Sequence, residues 1–522
     1  MTTLRRRTGP LAVLVTVALA VAVGCNPDPN ADQESASEKG NRAFSLTVAR
    51  TADVDTLDPS QATAFQTVQT LELIYDRLLA TDDDGELVPE LAEKWNVSDG
   101  GKTLTFRLQR GVKFHDGSDF TSSDAKATLE RNLDEETASV VASYLGNIDE
   151  VQDPEPHKLV LKLAQPDAGL LTALTMTGNS ILSEEDIESG NLGKKGAEPN
   201  GTGPFEWTTW EQNQRLQLDR NDDYWNGPAQ AKGLDFRVIP DESSIVSGME
   251  AGNFDLGLVS DPAVARQADS KKVRQLSEPT LSYHTLQLNS TEGPLQSKEA
   301  RQAIACAVDR QDIIDSVYFG DAQETGPINS PAYPYHPTDD LPCKPGDLDA
   351  ARDLLAAAGY PDGFSLHTIV MTGSYSTATN IAQSLKAQLS KIGVELELDR
   401  QPADSYVTSW SEADHDAALA LNGGSTDPYL MYNRYFTTDG SLATAAAYQS
   451  EELNDLLQQG NRTTNKQERE QIFDDLQATL LEDSPWVWLF NNQMHYLTRP
   501  DLRSFVPMPT ESLEKLRFAF VS

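Results

Sequence analysis

The clearest alternation of apolar and polar side chains lies at 103–108, where every second residue is apolar: Leu104, Phe106 and Leu108. A period of two is typical of a strand with one buried face. Turn-forming residues precede this strand at 99–101 (Asp-Gly-Gly) and follow it at 115–117 (His-Asp-Gly). The pattern therefore predicts a β-hairpin in this part of the chain.

A helix is predicted directly after this hairpin. Thr121 and Asp124 have the spacing of a capping box, in which two side chains satisfy free backbone N–H groups at a helix start, and 125–133 continue the helix. Apolar residues also recur at helical spacing over 68–79, after a strand-like segment at 44–49. Strands and helices that alternate in this way predict a mixed α/β protein.

The N-terminus has the features of an export signal. Arg5 to Arg7 form a positively charged start, and the apolar run from Leu11 to Val23 is shorter than the roughly 20 residues that span a bilayer. The run ends in Ala22 to Cys25, which resembles a lipobox. We therefore predict a lipoprotein signal peptide at 1–24 and lipidation of Cys25, with an ordinary secretory signal as the alternative.

The segment that follows Cys25 is predicted to be a tether. Residues 25–41 are rich in Asn, Asp, Pro, Ser and Glu and lack apolar periodicity, as expected of a disordered segment. The chain has 522 residues, and removing 24 leaves 498. That length exceeds the roughly 250–300 residues of one hydrophobic core, so at least two lobes are expected.

The net charge limits which partners the protein can bind, and the cysteine content indicates the compartment in which it works. The formal net charge is -38, and removing the three arginines of the signal makes it -41. Because phosphate contacts need clustered Lys and Arg, no nucleic acid partner is predicted. If Cys25 carries lipid, Cys306 and Cys343 remain, an even pair that favours a disulfide outside the cytoplasm. Two buried thiols are the alternative, because Cys306 lies in an apolar helical pattern.

Motifs of catalytic chemistry are scarce. The chain has no Gly-x-Ser-x-Gly elbow, no His-Glu-x-x-His pair and no phosphate-binding Gly-x-x-x-x-Gly-Lys loop. Ser123 and Lys126 fit the Ser-x-x-Lys of penicillin-binding enzymes, but the partner motifs Ser-Asp-Asn and Lys-Thr-Gly are missing. We therefore predict no enzyme, no catalytic residue, no cofactor and no metal site, and keep a serine acyltransferase using Ser123 and Lys126 as a lesser alternative.

Long segments resemble the extracytoplasmic solute-binding proteins of peptide and nickel ABC importers, known as family 5. Residues 90–117 (ELAEKWNVSDGGKTLTFRLQRGVKFHDG) are similar to the signature of that family. Further similar segments follow in the same order at 200–204 (NGTGP), 298–310 (KEARQAIACAVDR) and 462–509. The resemblance covers nearly all of 44–520.

The resemblance implies an α/β fold of the periplasmic-binding-protein-like type II, with two main lobes joined by a two-segment hinge and an inserted extra lobe. Lobe I is expected to be discontinuous, built from 42–58, 198–278 and 487–522. Lobe II is the insertion, 59–197, and lobe III is 279–486. Two crossings between lobes I and III suggest hinge closure about a ligand.

The function implied is that of a lipid-anchored substrate-binding component of an ABC importer. Such a protein captures a solute, here most readily a peptide, and delivers it to the permease and ATPase complex. It is expected to be a monomer held at the outer face of the cytoplasmic membrane by its lipid alone. An oligosaccharide or a metal chelate is the alternative ligand.

The ligand is expected to bind near 410–434, where an irregular stretch follows a short apolar strand. The predicted ligand-binding residues, from this stretch and from their positions in the family, are Tyr283, His284, Trp410, Asn422, Gly423, Gly424, Asp427 and Tyr429. The backbone around the two glycines is expected to bond to an extended ligand. For each aromatic residue, burial in a lobe core is the alternative.

Two departures from peptide-binding relatives occur in this stretch. Those relatives carry an aspartate three places before the acidic residue of an Asp-Pro or Glu-Pro pair, where it binds the α-ammonium of the peptide. Here that position is Gly424, before Asp427, and a tryptophan of the relatives corresponds to Leu421. An ammonium without its carboxylate is costly to bury. We therefore expect either a different ligand or a substitute such as Asp427.

Overall fold

The computed structural model describes residues 44–194, 196–328, 343–372, 377–438 and 440–522. The predicted signal peptide, the lipidation site Cys25 and the tether lie outside these ranges. In the part of the chain that is described, no helix combines the length and the apolarity that a bilayer crossing requires.

Strands and helices alternate along the chain, as predicted. The strands are β1 Leu46–Arg50, β2 Leu79–Thr81, β3 Leu87–Pro89, β4 Ala92–Ser98, β5 Thr103–Leu108, β6 Ile148–Glu155, β7 Lys158–Leu163, β8 Phe205–Glu211, β9 Arg215–Arg220, β10 Gly233–Val238, β11 Leu256–Val259, β12 Arg274–Leu288, β13 Phe364–Thr372, β14 Val394–Pro402, β15 Ala417–Asn422, β16 Trp486–Thr498, β17 Leu502–Arg503 and β18 Phe520–Val521. The α-helices are α1 Phe65–Leu71, α2 Ser122–Leu133, α3 Ala142–Leu145, α4 Gly169–Ala173, α5 Glu184–Ser189, α6 Glu242–Ala251, α7 Pro262–Ala265, α8 Lys298–Ala307, α9 Arg310–Val317, α10 Leu348–Ala357, α11 Ala378–Leu389, α12 Ala403–Ser411, α13 Pro428–Phe436, α14 Ala443–Ala446, α15 Glu451–Arg462 and α16 Lys466–Asp483.

The hairpin and helix predicted from the opening pattern are confirmed. Strands β4 and β5 pair antiparallel across the turn at 99–101, and the three alternating apolar residues of β5 are buried. Helix α2 begins with the predicted capping box, in which the backbone N–H of Thr121 donates to Asp124 Oδ2 at 2.8 Å. Local pattern alone therefore specifies this part of the fold.

One ten-stranded sheet runs through the molecule in the order β14-β13-β15-β12-β16-β11-β1-β10-β9-β8. A separate four-stranded antiparallel sheet, β4-β5-β7-β6, lies in predicted lobe II. The two longest strands, β12 and β16, pair antiparallel in the middle of the large sheet. Strands of predicted lobe I lie on one side of this pair, and strands of predicted lobe III lie on the other.

Buried apolar side chains form three main clusters. One lies between Leu286 and Phe490, a second lies within 78–181, and a third combines residues of β1, β8 to β11 and the C-terminal region. Apolar residues of 62–75, a segment expected in lobe II, pack in the third cluster. The N–H groups of Gly203 and Phe205 also donate hydrogen bonds to backbone carbonyl oxygens of this segment, at 2.8 and 3.0 Å. The lobe division itself stays a prediction.

The β12–β16 pairing has a register break between Pro279 and Tyr283, next to the crossing expected at 278/279. The strand β16 passes opposite this break at Asn491 to Gln493, downstream of the crossing expected at 486/487. The side-chain amide of Asn491 donates to the carbonyl oxygen of Thr280 at 2.7 Å and so bridges the break. The sheet is thus continuous, with a local interruption in its central pair.

Cys306, at the end of α8, is bonded to Cys343, and their Cα atoms lie 5.7 Å apart. Cys306 is buried in the Leu286–Phe490 cluster, and Cys343 packs against the same cluster. The bond links residues separated by 37 positions.

Replacing both cysteines by alanine is expected to lower the free energy of unfolding by about 4 kcal/mol, because the crosslink restricts a long loop in the unfolded chain. Guanidinium denaturation of the oxidised mature protein measures this difference. Addition of dithiothreitol should destabilise the wild type and leave the double variant unchanged. A wild type that is equally stable with and without reductant would contradict a disulfide in solution.

Candidate ligand-binding site

A cavity of about 500 Å³, which we call the cleft, opens between distant parts of the chain. Its walls come from 62–81, from 140–144 with 172–178, from 423–434 and from 508–514. Most ligand pockets have volumes of about 300–1,000 Å³. The cleft is therefore large enough for a small organic ligand and draws on segments of all three predicted lobes.

The register break in β12 forms part of the wall. Leu281 and Ser282 line the cleft, and the N–H of Leu281 donates to the carbonyl oxygen of Pro509 at 2.8 Å. The carbonyl oxygen of Leu281 lies so close to Gly424 that a Cβ atom at this glycine would be 2.0 Å from it. A side chain at position 424 has no space in this arrangement.

Two of the eight predicted ligand-binding residues, Gly423 and Gly424, line the cleft, and the other six do not. Tyr283 and His284 lie on β12, and both side chains are buried in the protein interior. The ring of His284 lies 5.1 Å from that of Phe490, and its Nε2 is 3.0 Å from the hydroxyl oxygen of Tyr318. Burial lowers the pKa of His284 to about 4. The core alternative therefore describes both residues.

Trp410 and Asn422 belong to a polar network between β12, β15 and α12. Trp410 Nε1 donates to Gln287 Oε1 at 2.7 Å, and Gln287 Nε2 donates to Asn422 Oδ1 at 3.1 Å. Asn422 Nδ2 in turn donates to Thr285 Oγ1 at 2.8 Å. These side chains satisfy one another inside the protein, so they position the end of β15 and do not face the cleft.

Asp427 and Tyr429 also have structural positions. Asp427 caps α13 by accepting from the N–H of Tyr429 at 2.9 Å. Both Asp427 oxygens are bound by Arg469, at 2.6 and 3.0 Å, and the residue is 1% exposed. The half-buried Tyr429 lies beside Gly169 of predicted lobe II. Asp427 is therefore not free to replace the aspartate that is missing at Gly424.

Arg434, which is not among the eight predicted residues, lines the cleft from α13 together with Leu430 and Met431. It is the one arginine within the predicted segment 410–434, which contains no lysine. Residues three and four positions apart share a helix face, so the spacing of Leu430 and Arg434 was an available signal. The guanidinium lies over the ring of Tyr435, 5.6 Å from its centroid.

Three glutamates form an acidic wall of the cleft: Glu72, Glu511 and Glu514. Burial raises the pKa of Glu72 to about 8, with repulsion from Glu514 adding to the effect, and burial raises the pKa of Glu511 to about 7. Glu72 accepts from the N–H of Leu513 at 2.6 Å. Arg77 is shared by Glu514 and Glu90, so this wall has more carboxylates than cations.

The lesser enzyme alternative has no support in the geometry. Ser123 Oγ is 2.9 Å from Thr121 Oγ1, within the capping box of α2. Lys126 Nζ donates to Asp153 Oδ1 at 3.2 Å. Neither residue lines the cleft. Among the described residues, no three His, Cys, Asp or Glu side chains are grouped as they are in a metal site.

Solved structures share this fold over most of the chain. The chain is 27% identical to the binding protein AgaA of A. tumefaciens R10, solved with agropinic acid, with a TM-score of 0.76 over 92% of this chain and 99% of that one. It is 25% identical to DppA of Helicobacter pylori, solved with the peptide STSA, with a TM-score of 0.75 over the same shares of both chains. The predicted type II fold is confirmed.

Curated relatives and a family match agree with the structures. The chain is 26% identical to the glutathione-binding protein GsiB of Salmonella choleraesuis over 487 residues, which are 90% of this chain and 93% of that protein. The family described as "Bacterial extracellular solute-binding proteins, family 5 Middle" matches residues 86–443. The chain therefore belongs to the family 5 solute-binding proteins of ABC importers.

Proposed function

We propose that this protein is a lipid-anchored, extracytoplasmic component of an ABC importer that captures a peptide-sized solute in the cleft. The observation that carries the proposal is the cleft itself, a cavity of about 500 Å³ lined by segments of all three predicted lobes. In this proposal the protein performs no chemistry on the solute and acts as a monomer. It delivers the solute to a permease and ATPase complex.

Capture is proposed to proceed by hinge closure. The central strands β12 and β16 belong to both halves of the large sheet, and their register breaks at Pro279 to Tyr283. A local break in strand pairing is a place where backbone angles change at low cost, as hinge segments require. Because Leu281 and Ser282 of this break line the cleft, a bound solute contacts the hinge directly.

A peptide is the solute that the cleft supports best. The exposed backbone of Gly423 follows β15, and the N–H groups of Gly423 and Gly424 have no hydrogen-bond partner among the described residues. Such groups can pair with an extended ligand as a further strand would. The names of relatives point the same way, since GsiB is a glutathione-binding protein and DppA was solved with a peptide.

The ammonium of a peptide is not expected to bind where peptide-binding relatives hold it. Position 424 has no space for an aspartate side chain, and Asp427 is held by Arg469. A non-peptide solute is the second candidate, because the relative AgaA was solved with agropinic acid. The oligosaccharide and the metal chelate remain alternatives that the following experiment distinguishes.

Native mass spectrometry of the freshly purified mature protein is expected to show a bound molecule of small-peptide mass. Titration calorimetry with trialanine, glutathione, maltotriose and the nickel–histidine chelate then compares ligand classes on one preparation. Binding of trialanine or glutathione supports the proposal. Binding of only the sugar or the chelate would replace the peptide, and the absence of any bound molecule or binding would contradict the proposed capture function.

Lipid anchoring is tested by changing Cys25→Ala in the full-length protein. The variant is expected to leave the membrane fraction, because one acylated residue supplies the whole attachment in this proposal. Fractionation of cells followed by detection of the protein measures the shift. The ordinary secretory alternative predicts that wild type and variant are equally soluble.

The close approach at Gly424 generates a matched pair of variants. Gly424→Ala is expected to lower the free energy of unfolding by about 1–3 kcal/mol, because its Cβ meets the Leu281 backbone at 2.0 Å. Gly423→Ala is the control, since nothing lies within 4 Å of its Cβ. Urea denaturation measures both variants. Equal stability of the two would show that the Leu281–Gly424 approach is not rigid.

A further inference from the structure

We propose that Arg434 is the anchor for a carboxylate of the solute, so that the importer component takes acids and discriminates against their neutral amides. This inference rests on the proposed function, because it assigns a chemical class to the ligand of the same cleft. It concerns a residue that is not among the eight predicted ligand-binding residues.

The position of Arg434 is set by its helix. Asp427 caps the start of α13, and Arg469 holds both oxygens of that cap. On one face of α13, Tyr432 and Phe436 pack in an aromatic cluster with Trp486. The helix is therefore fixed at its start and along its buried face. Its other face presents Arg434 to the cleft.

Arg434 differs from Arg77, which also lines the cleft, and from the buried Arg469, because it has no anionic partner among the described residues. Arg77 is shared by two glutamates, and Arg469 is paired with Asp427. Arg434 makes no ion pair with any described residue, and its Nε atom is buried without a hydrogen-bond partner. A buried donor without an acceptor is costly. A carboxylate in the cleft would supply that acceptor and a compensating charge.

The charge of the remaining cleft orients such a ligand. The acidic wall of Glu72, Glu511 and Glu514 includes Arg77, whose charge is already shared by Glu514 and Glu90. An anionic group against that wall would meet only a cation that is already paired, whereas a neutral or ammonium-bearing group needs no cation there. The cleft thus favours a solute with its carboxylate at α13 and an uncharged or ammonium-bearing remainder at the acidic wall.

The test compares two probes and four proteins by titration calorimetry. The probes are trialanine and trialanine amide, which differ only in the terminal carboxylate. The proteins are wild type, Arg434→Gln, Arg434→Lys and Arg352→Gln, in which Arg352 is an exposed arginine paired with Asp349 far along the chain from the cleft residues. Thermal unfolding of each protein establishes that the variants are folded.

Wild type is expected to bind trialanine about 30-fold or more tightly than its amide, because a buried charged hydrogen bond lost on one side typically costs this much. Arg434→Gln should lose that preference and bind both probes equally weakly. Arg434→Lys should retain part of it, since a lysine keeps the charge without the two-pronged geometry. Arg352→Gln should behave as wild type.

Three results would overturn the inference. The wild type could bind acid and amide equally, Arg434→Gln could keep the preference for the acid, or Arg434→Gln could weaken both probes by the same factor, as a purely structural role would. Failure of the proposed function is distinguishable from these results. In that case wild type binds neither probe and carries no co-purified molecule, and the inference falls with it.

Discussion

The pairing of β12 with β16 holds the two halves of the ten-stranded sheet together. Every other strand of that sheet lies to one side or the other of this pair. The pairing is interrupted at Pro279 to Tyr283, where the side-chain amide of Asn491 bridges to the carbonyl of Thr280. At the same interruption Leu281 binds the Pro509 backbone and approaches Gly424. One irregularity therefore produces both the candidate hinge and the middle of the cleft.

The whole protein is strongly acidic, with a formal charge of -38. The walls of the cleft nevertheless differ in charge, because one carries three glutamates and another carries Arg434. The buried glutamates Glu72 and Glu511 have raised pKa values because burial disfavours their charged forms. Between about pH 4.5 and 8 the folded protein holds protons that the unfolded chain has released. Stability contributed by these groups therefore decreases as pH rises through that interval. Among the described residues that line the cleft, the one cation without an ion-pair partner is Arg434, on α13.

Local and family patterns predicted the fold, whereas six of the eight predicted ligand-binding residues do not line the cleft, and a ligand contact by any of the eight stays a prediction. The capping box of α2 and the alternation of β5 depend only on neighbouring residues, so sequence sufficed for both. In contrast, the side chain of His284 on β12 packs against Tyr318 and Phe490, which are distant in sequence. Asp427 could not be recognised as structural, because its partner Arg469 comes from α16. The acidic wall brings Glu511 and Glu514 close to Glu72, which is far from them in sequence. No local sequence pattern indicates that proximity.

The clamp between Asp427 and Arg469 has an evolutionary consequence. The start of α13 and its aromatic face hold the helix in place, and the Arg434 side chain, which lines the cleft, is not part of that buried cluster. An exchange at position 434 can therefore change what a descendant protein binds without removing the contacts that hold the helix. Relatives that share about a quarter of their residues can therefore bind different solutes through changes on one helix face while they keep the same fold.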